Sequence, residues 1–274
     1  MTNWQSNFAT VNGIRIHYTR TGRDKPALML LHGITDSGLC WRRTAIALES
    51  DYDIIMVDAR GHGLSDKPAT GYTANDYAGD IAGLIESLGV GPALVMGHSL
   101  GGMTTATLAA NHPQLVRGAV LEDPPWRDQG DPQAQMKPEQ EAAWMADWRS
   151  NLIAQQKLPL AEIIAAGRER SPKWHADEFP DWAEAKVRVN PAVLGAGRLR
   201  TWDDLVPMLA CPTLLVTGDP ALGAIVTADL AARVCGINPQ IDHVHIADAG
   251  HNIRRENFSH FLFAVRGFLG GIGS

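Results

Sequence analysis

Short apolar runs alternate with amphipathic segments along most of this chain. Segments of helical periodicity, such as residues 72–88, separate the apolar runs. The runs that resemble strands buried on both faces lie at residues 27–32, 53–58, 93–98, 116–123 and 212–217. This alternation predicts a mostly parallel sheet with right-handed crossovers, preceded by a β-hairpin that turns at Asn12-Gly13.

The pattern changes after Pro124-Pro125. Residues 126–206 show helical periodicity and no clear strand, and the strand pattern returns only at residue 212. Six of the eight tryptophans lie in this segment: Trp126, Trp144, Trp148, Trp174, Trp182 and Trp202. The sequence therefore predicts that a helical, tryptophan-rich segment interrupts the sheet at one crossover.

Composition narrows the classes of function. A length of 274 residues suits one α/β domain with an inserted subdomain. The net charge of −6 offers no basic surface for nucleic acid or an anionic membrane, and no apolar run reaches the ~18 residues of a membrane span. The three cysteines are scattered, so we expect neither a disulfide nor a zinc site. Residues 1–8 lack the pattern of a signal peptide, and we expect a cytoplasmic protein.

The sequence Gly97-His98-Ser99-Leu100-Gly101 lies between an apolar strand and a helix of small residues. A bare Gly-x-Ser-x-Gly is a weak signal in a chain with 27 glycines, but the flanking strand and helix make it a nucleophile elbow. We expect a strained backbone at Ser99, which Gly97 and Gly101 permit because they have no Cβ. Ser99 is therefore the candidate nucleophile, exposed at the positive end of a helix.

Five elements in order resemble the α/β-hydrolase superfamily over nearly the full chain. They are the N-terminal hairpin, His32-Gly33, Asp58-x-Arg-Gly-x-Gly-x-Ser65, the elbow at Ser99, and Ala249-Gly250-His251 before the final helix. The resemblance implies an eight-stranded, mostly parallel sheet flanked by helices, with the first two strands antiparallel to their neighbours. It also implies a helical cap inserted after strand six. We expect a hydrolase core at residues 1–123 and 207–274, and a cap at residues 124–206.

A serine hydroxyl needs a base within hydrogen-bond reach. The resemblance places that base at His251, in a loop that follows the last strand. The position at which the resemblance most often places the triad acid, three residues beyond Gly218, holds Ala221 in this chain. Asp123 lies 24 residues after Ser99, as in the branches that carry the acid at the end of strand six. We favour Asp123, with Asp219 as the alternative acid and Glu122 as a poor third.

Other roles follow from the resemblance or from position. The resemblance implies that the N–H groups of Ile34 and Leu100 form the oxyanion hole, while Asp36 and Ser37 are candidate helix caps. Trp126, just after the favoured acid, is the candidate pocket wall, and His32 is a second candidate for contact with substrate. No metal cluster or cofactor fingerprint is visible, so we expect neither a metal nor a cofactor.

The expected function is that of a serine hydrolase that cleaves a carboxylic ester or lactone of a small, partly apolar molecule through an acyl-enzyme. Amide or C–C hydrolysis on the same fold remains an alternative, since the triad chemistry is shared. A ligand receptor without turnover is the alternative from another class. Dehalogenases and epoxide hydrolases are disfavoured because they use a carboxylate nucleophile where this chain has Ser99. The expected partner is a small-molecule substrate. We expect no nucleic-acid or membrane partner, and the sequence leaves open whether the protein forms a homodimer.

Overall fold

The computed structural model describes residues 4–22, 24–195 and 200–272. One eight-stranded sheet runs through the molecule in the order β1-β2-β4-β3-β5-β6-β7-β8. Its strands are β1 (Gln5–Val11), β2 (Ile14–Arg20), β3 (Ala27–Leu31), β4 (Asp53–Val57), β5 (Ala93–His98), β6 (Val116–Glu122), β7 (Thr213–Thr217) and β8 (Ile241–His245). Strand β2 pairs antiparallel with β1 and β4, and every other pairing is parallel. The predicted eight-stranded, mostly parallel sheet is confirmed.

Helices cover both faces of the sheet. They are α1 (Arg42–Leu48), α2 (Ala74–Leu88), α3 (Leu100–Asn111), α4 (Pro138–Gln155), α5 (Leu160–Arg170), α6 (Glu178–Arg188), α7 (Trp202–Leu205), α8 (Ala228–Ile237), α9 (Ile253–Glu256) and α10 (Phe258–Gly271). Apolar side chains of α2, α3 and α8 form one core with the sheet, and those of α1 and α10 form a second. Among the helices of the described chain, none combines the length and apolarity needed to cross a membrane.

The segment between β6 and β7, residues 123–212, contains α4 to α7 and, in its described parts, no strand. We call residues 124–206 the insert; their division from the core at these bounds stays a prediction. Helices α5 and α6 pack together, and their buried side chains Ile163, Phe179 and Trp182 form a small cluster with Cys40 of the core. The insert is therefore attached to the core through α6, close to residues 33–41.

Helix α3 follows β5 after a single residue, Ser99, and its backbone contacts that of the sheet. A Cβ atom built on Gly101 would overlap the carbonyl oxygen of Leu31 in β3, and one built on Gly97 would overlap the carbonyl oxygen of Gly101. These contacts involve backbone atoms of central strands, which cannot move aside. Glycine is required at both positions because the helix lies directly on the sheet.

We expect Gly101→Ala to destabilise the fold by more than about 4 kcal/mol, because the added methyl group collides with backbone atoms. Urea unfolding of the purified variant measures this loss. Gly267→Ala is the matched control, since Gly267 lies in α10 with no atom near its Cβ position. Alanine there should stabilise the helix by up to about 1 kcal/mol. An unfolding midpoint of Gly101→Ala equal to that of the wild type would contradict the steric argument.

Candidate active site

Ser99 lies at the sharp turn from β5 into α3. Its backbone has φ 52° and ψ −115°, a conformation that L-residues rarely adopt, as expected for an elbow. The Ser99 N–H donates to the carbonyl oxygen of Glu122 (2.9 Å), and its own carbonyl oxygen accepts from the Met103 N–H (3.0 Å). The strained conformation is thereby fixed from both the neighbouring strand and the helix. Ser99 stands at the N-terminus of α3, where the helix dipole favours a negative charge.

Two backbone N–H groups next to Ser99 are free to bind an oxyanion. Among the described residues, neither the Leu100 N–H nor the Ile34 N–H has a hydrogen-bond acceptor. The loop of Ile34 lies against the elbow, because a Cβ atom built on Gly33 would be 3.4 Å from the Ser99 Cβ. Both N–H groups assigned to the oxyanion hole from the resemblance are therefore available beside the serine.

Asp123 and His251 form a hydrogen bond of 2.6 Å between Oδ2 and Nδ1. The Asp123 carboxylate is fully buried and also accepts from the backbone N–H groups of Ile225 (2.8 Å) and Val226 (3.0 Å). Because a carboxylate held by such donors only accepts, the proton of His251 is assigned to Nδ1, which leaves the Nε2 lone pair free. His251 thus has the tautomer that a general base for a serine requires.

The His251 ring lies at the elbow. Its backbone carbonyl accepts a hydrogen bond of 2.8 Å from His98 Nε2, and the two rings lie 4.7 Å apart. The structure has no hydrogen bond between Ser99 Oγ and the His251 ring. Contacts of this kind are commonly long in unliganded enzymes and tighten when substrate binds. The side chain of His251 is 28% exposed, whereas that of Asp123 is completely buried.

The other two candidate acids are engaged elsewhere. Asp219 accepts from His245 Nε2 (2.9 Å) and from the Asp248 N–H (2.7 Å), on the surface beyond β8. Glu122 accepts from the Arg254 backbone N–H (2.8 Å) and side chain (3.1 Å). Of the three candidates, only Asp123 contacts His251 in the described structure.

Trp126 and His32, the two candidates for contact with substrate, lie in different surroundings. Trp126 is 1% exposed and belongs to the core on the α3 face of the sheet, and its indole Nε1 has no hydrogen-bond partner among the described residues. His32 is buried, with Nδ1 donating to the carbonyl oxygen of Gly33 (2.8 Å) and Nε2 accepting from the Ala59 N–H (3.0 Å). His32 therefore cannot offer a polar atom to a substrate, and its hydrogen bonds hold the loop in which it lies.

Sequence analysis missed a cluster of buried charges beside these residues. We call it the ion cluster, and its members are Asp36, Glu122, Glu178, Lys186, Arg254 and Arg255. Three anions and three cations balance, as buried charges require. Glu178, Trp182 and Lys186 are spaced by four residues and so share one face of α6. The spacing alone does not indicate burial, because a charged helix face is solvated by default.

The helix-cap prediction is wrong for Asp36, whereas Ser37 does occupy the N-cap position of the 3-10 turn Gly38–Trp41. Asp36 pairs with Lys186 (3.0 Å) and Arg255 (3.1 Å), and Ser37 makes no capping hydrogen bond to the turn that follows it. Burial alone would raise the pKa of Asp36, but Arg255, Lys186 and Arg254 hold it well below the ordinary value. Burial raises the pKa of Glu122, although Arg254 opposes that shift. Asp36 is therefore an anion that the insert and α9 both neutralise.

A second set of serine, histidine and aspartate side chains, linked by hydrogen bonds, lies at the N-terminal hairpin. Ser6 Oγ is 2.7 Å from His17 Nε2, and His17 Nδ1 is 2.8 Å from Asp58 Oδ2. Burial alone would raise the pKa of Asp58, but hydrogen bonds, first that from His17, lower it. Ser6 lies within the regular strand β1, paired with β2, so no helix N-terminus follows it as one follows Ser99. A hydrogen-bonded triad alone therefore does not make a hydrolytic site.

No group of three or more His, Cys, Asp or Glu side chains in the described residues is arranged to hold a metal ion. Three histidines in the elbow and the neighbouring loops, His32, His62 and His98, are buried. Burial lowers the pKa values of His32 and His98 below the ordinary 6.5, and that of His62 to about 3. These side chains are therefore neutral in the folded protein near neutral pH.

Known proteins resemble this chain over most of its length. A family model described as alpha/beta hydrolase fold matches residues 26–257. The 2-(acetamidomethylene)succinate hydrolase of Mesorhizobium japonicum is 34% identical in an alignment 259 residues long, which covers 89% of this chain and 88% of the relative. A crystal structure of E-2-(acetamidomethylene)succinate hydrolase superposes with a TM-score of 0.81 at 28% identity, covering 98% of this chain and 100% of that one. The enol-lactonase of Burkholderia xenovorans LB400 superposes with a TM-score of 0.71 at 23% identity over 96% and 100% of the two chains, which shows a shared fold.

We expect Asp123→Asn to lower kcat by about 10⁴, because an amide cannot hold the imidazole in the right tautomer or stabilise the imidazolium. Asp219→Asn is the matched control and should leave kcat near the wild-type value, since Asp219 contacts His245 rather than His251. Steady-state turnover of a chromogenic ester measures both. A collapse of Asp219→Asn with an active Asp123→Asn would reverse the assignment.

We expect the free energy of unfolding to fall as the pH is lowered from 7 to 5. The unfolded chain protonates His32, His62 and His98 below about pH 6.5, whereas the folded protein does not. Each histidine then contributes a slope of up to about 1.4 kcal/mol per pH unit. Because the pKa of Glu122 is raised in the folded protein, this residue contributes a slope of the opposite sign, equivalent to one proton at most.

The contribution of one histidine can be isolated from the slope. His62→Gln should reduce the slope of the unfolding free energy against pH by nearly the amount that the uptake of one proton contributes. This holds whatever the effect of the substitution on stability at pH 7. Urea unfolding of His62→Gln and wild type at several pH values measures the two slopes, and identical slopes would rule the explanation out.

Proposed function

This chain belongs to the α/β-hydrolase fold family and is a hydrolase, and on that premise we propose that it is a serine hydrolase of small carboxylic esters or lactones. The observation that supports this most is the 2.6 Å hydrogen bond between His251 Nδ1 and the buried Asp123 carboxylate, beside a serine on a strained elbow. We infer that Ser99, His251 and Asp123 form a catalytic triad that works through an acyl-enzyme.

The acylation step uses each of these groups once. Ser99 Oγ attacks the carbonyl carbon of the substrate while its proton moves to His251 Nε2. The carbonyl oxygen becomes an oxyanion, which accepts hydrogen bonds from the Ile34 and Leu100 N–H groups. Asp123 stabilises the positive charge that develops on the imidazole. The tetrahedral intermediate then expels the alcohol, which takes its proton from His251.

Deacylation repeats the sequence with water. His251 removes a proton from a water molecule that attacks the acyl carbon, and the same two N–H groups bind the second oxyanion. Ser99 Oγ leaves with the proton from His251, and the carboxylic acid is released. Apart from the attacking water, both steps use side chains and N–H groups of this chain.

Amide hydrolysis is the second candidate function. The relative from Mesorhizobium japonicum, 34% identical over 89% of this chain, is named for a substrate that carries an acetamido group. Ester, lactone and amide share the carbonyl carbon that Ser99 would attack, so the proposed triad serves all three. That relationship is the specific reason to test a small amide of a dicarboxylic acid alongside esters.

We expect Ser99→Ala to abolish turnover while the protein stays folded, because the substitution removes the nucleophile and leaves the elbow glycines in place. Turnover of a chromogenic ester, with circular dichroism as the check on folding, measures this. A fluorophosphonate probe should modify wild type at Ser99, and mass spectrometry should find no modification of Ser6 in Ser99→Ala. Turnover by folded Ser99→Ala would overturn the assignment of the nucleophile.

A panel of bonds separates the candidate functions. Chromogenic esters, five- and six-membered lactones and 2-(acetamidomethylene)succinate are offered to wild type, Ser99→Ala and Asp123→Asn. The highest kcat/KM for the esters or lactones supports the first candidate, and the highest value for the amide supports the second. Binding without multiple turnover of any compound would favour a receptor and overturn both.

A further inference from the structure

Lys186 extends from helix α6 of the insert to the turn that contains Ile34. We propose that Lys186 is a positioning residue, whose ammonium group holds the turn of residues 33–36 in the conformation that presents the Ile34 N–H to the carbonyl oxygen of the substrate. This inference rests on the proposed function, because it assigns a task to the insert within the same site. It concerns the geometry of the oxyanion hole and not the triad.

The turn of residues 33–36 needs support from outside. The Asp36 N–H donates to the carbonyl oxygen of Gly33 (3.0 Å), so Ile34 and Thr35 occupy the two central positions. Thr35 has φ 66°, a left-handed value that such turns usually give to glycine or asparagine. For a β-branched residue this conformation is an outlier. Without an external contact, the turn would relax and the Ile34 N–H would change direction.

Lys186 supplies that contact with all of its hydrogen-bonding capacity. Nζ lies 2.9 Å from the Thr35 carbonyl oxygen, 2.8 Å from Thr35 Oγ1 and 3.0 Å from Asp36 Oδ1. An ammonium group has three N–H donors, and all three are directed at this turn. The side chain is buried and packs near Trp182, with Nζ 5.1 Å from its ring centroid. Lys186 is therefore fixed in place and binds both Thr35 and Asp36.

The opposite side of the turn is held by the core. Asp36 also pairs with Arg255 of α9 (3.1 Å), which in turn pairs with Glu178 of α6 (3.2 Å). Of the cations in the ion cluster, Lys186 is the one that hydrogen-bonds Thr35. The seating of α6 on the core thus determines the conformation of the turn. An insert that is displaced would leave the oxyanion hole with a misdirected donor.

The test begins with Lys186→Met, which keeps an unbranched apolar stem and removes the ammonium group. We expect kcat on a chromogenic ester to fall about 10- to 100-fold with KM little changed, because a misplaced oxyanion donor acts on the transition state. Rates are normalised to active sites that a fluorophosphonate titrates. A trifluoromethyl ketone, which forms a tetrahedral adduct with the serine, should lose affinity by a similar factor.

Arg188→Met is the matched control. Arg188 lies in the same helix and is exposed, and its one ion pair within the described residues is with Glu184 of α6 (3.1 Å). It should retain the kcat of wild type. Equal losses in Arg188→Met and Lys186→Met would overturn the proposal, and so would a Lys186→Met protein that melts earlier but keeps kcat per titrated site.

Two changes at Thr35 test the turn itself. Glycine adopts a left-handed φ without strain, so the loss caused by Lys186→Met should be smaller when Thr35→Gly is also present. An equal loss in both backgrounds would mean that Lys186 does not act through the turn. Thr35→Val removes one acceptor of Lys186 and keeps its ion pair, which covers the case that Lys186→Met fails to fold. It should lower kcat several-fold, and an unchanged kcat would overturn the proposal.

Ser99→Ala separates this inference from the function on which it rests. An inactive Ser99→Ala together with a fully active Lys186→Met leaves the serine hydrolase in place and overturns only the role of Lys186. Turnover by Ser99→Ala at the wild-type rate overturns the proposed function and the role of Lys186 with it.

Discussion

Direct contact between helix α3 and the central strands determines where this molecule can carry out chemistry. With glycine at 97 and 101, the backbones of β3, β5 and α3 touch, and the chain must reverse within the single residue Ser99. The reversal strains Ser99 and leaves the Leu100 N–H unpaired at the positive end of the helix. One steric constraint therefore fixes the proposed nucleophile and a proposed oxyanion donor side by side. The remaining groups of the site come from loops at the same edge of the sheet, where the parallel strands end.

The parts of the site that could be predicted from sequence lie within one short motif or beside a strand of clear pattern. Ser99 and Leu100 depend on contacts within a few residues, and the strands themselves followed from continuous apolar runs. The acid could not be settled in this way, because Asp123 and His251 are 128 residues apart. The spacing from Ser99 favoured Asp123 and left Asp219 as the alternative, and only the structure shows that Asp219 contacts His245 and Asp248 on the surface beyond β8.

The ion cluster was hidden from sequence for a related reason. Asp36 and Lys186 are 150 residues apart, and a charged residue on an amphipathic helix is by default solvated. Members of the cluster lie next to three parts of the site in sequence: Asp36 closes the turn of residues 33–36, Glu122 precedes Asp123, and Arg254 follows the His251 loop. Buried charges tolerate little movement, since an unpaired one is costly. They therefore fix the positions of the three loops relative to one another more strictly than apolar packing would.

The fixed positions of these loops affect which bond the site can cleave. An amide carbonyl is less electrophilic than that of an ester, and its nitrogen must be protonated before it can leave. The first demand falls on the oxyanion donors, which include the Ile34 N–H, and the second falls on the proton that His251 Nε2 takes from Ser99. A loosely held oxyanion hole would still permit hydrolysis of activated esters, whereas cleavage of an amide requires donors that are fixed before the reaction begins. The contact between Lys186 and the Ile34 turn therefore matters more for an amide substrate than for an ester. It links the seating of the insert to the range of bonds that Ser99 can attack.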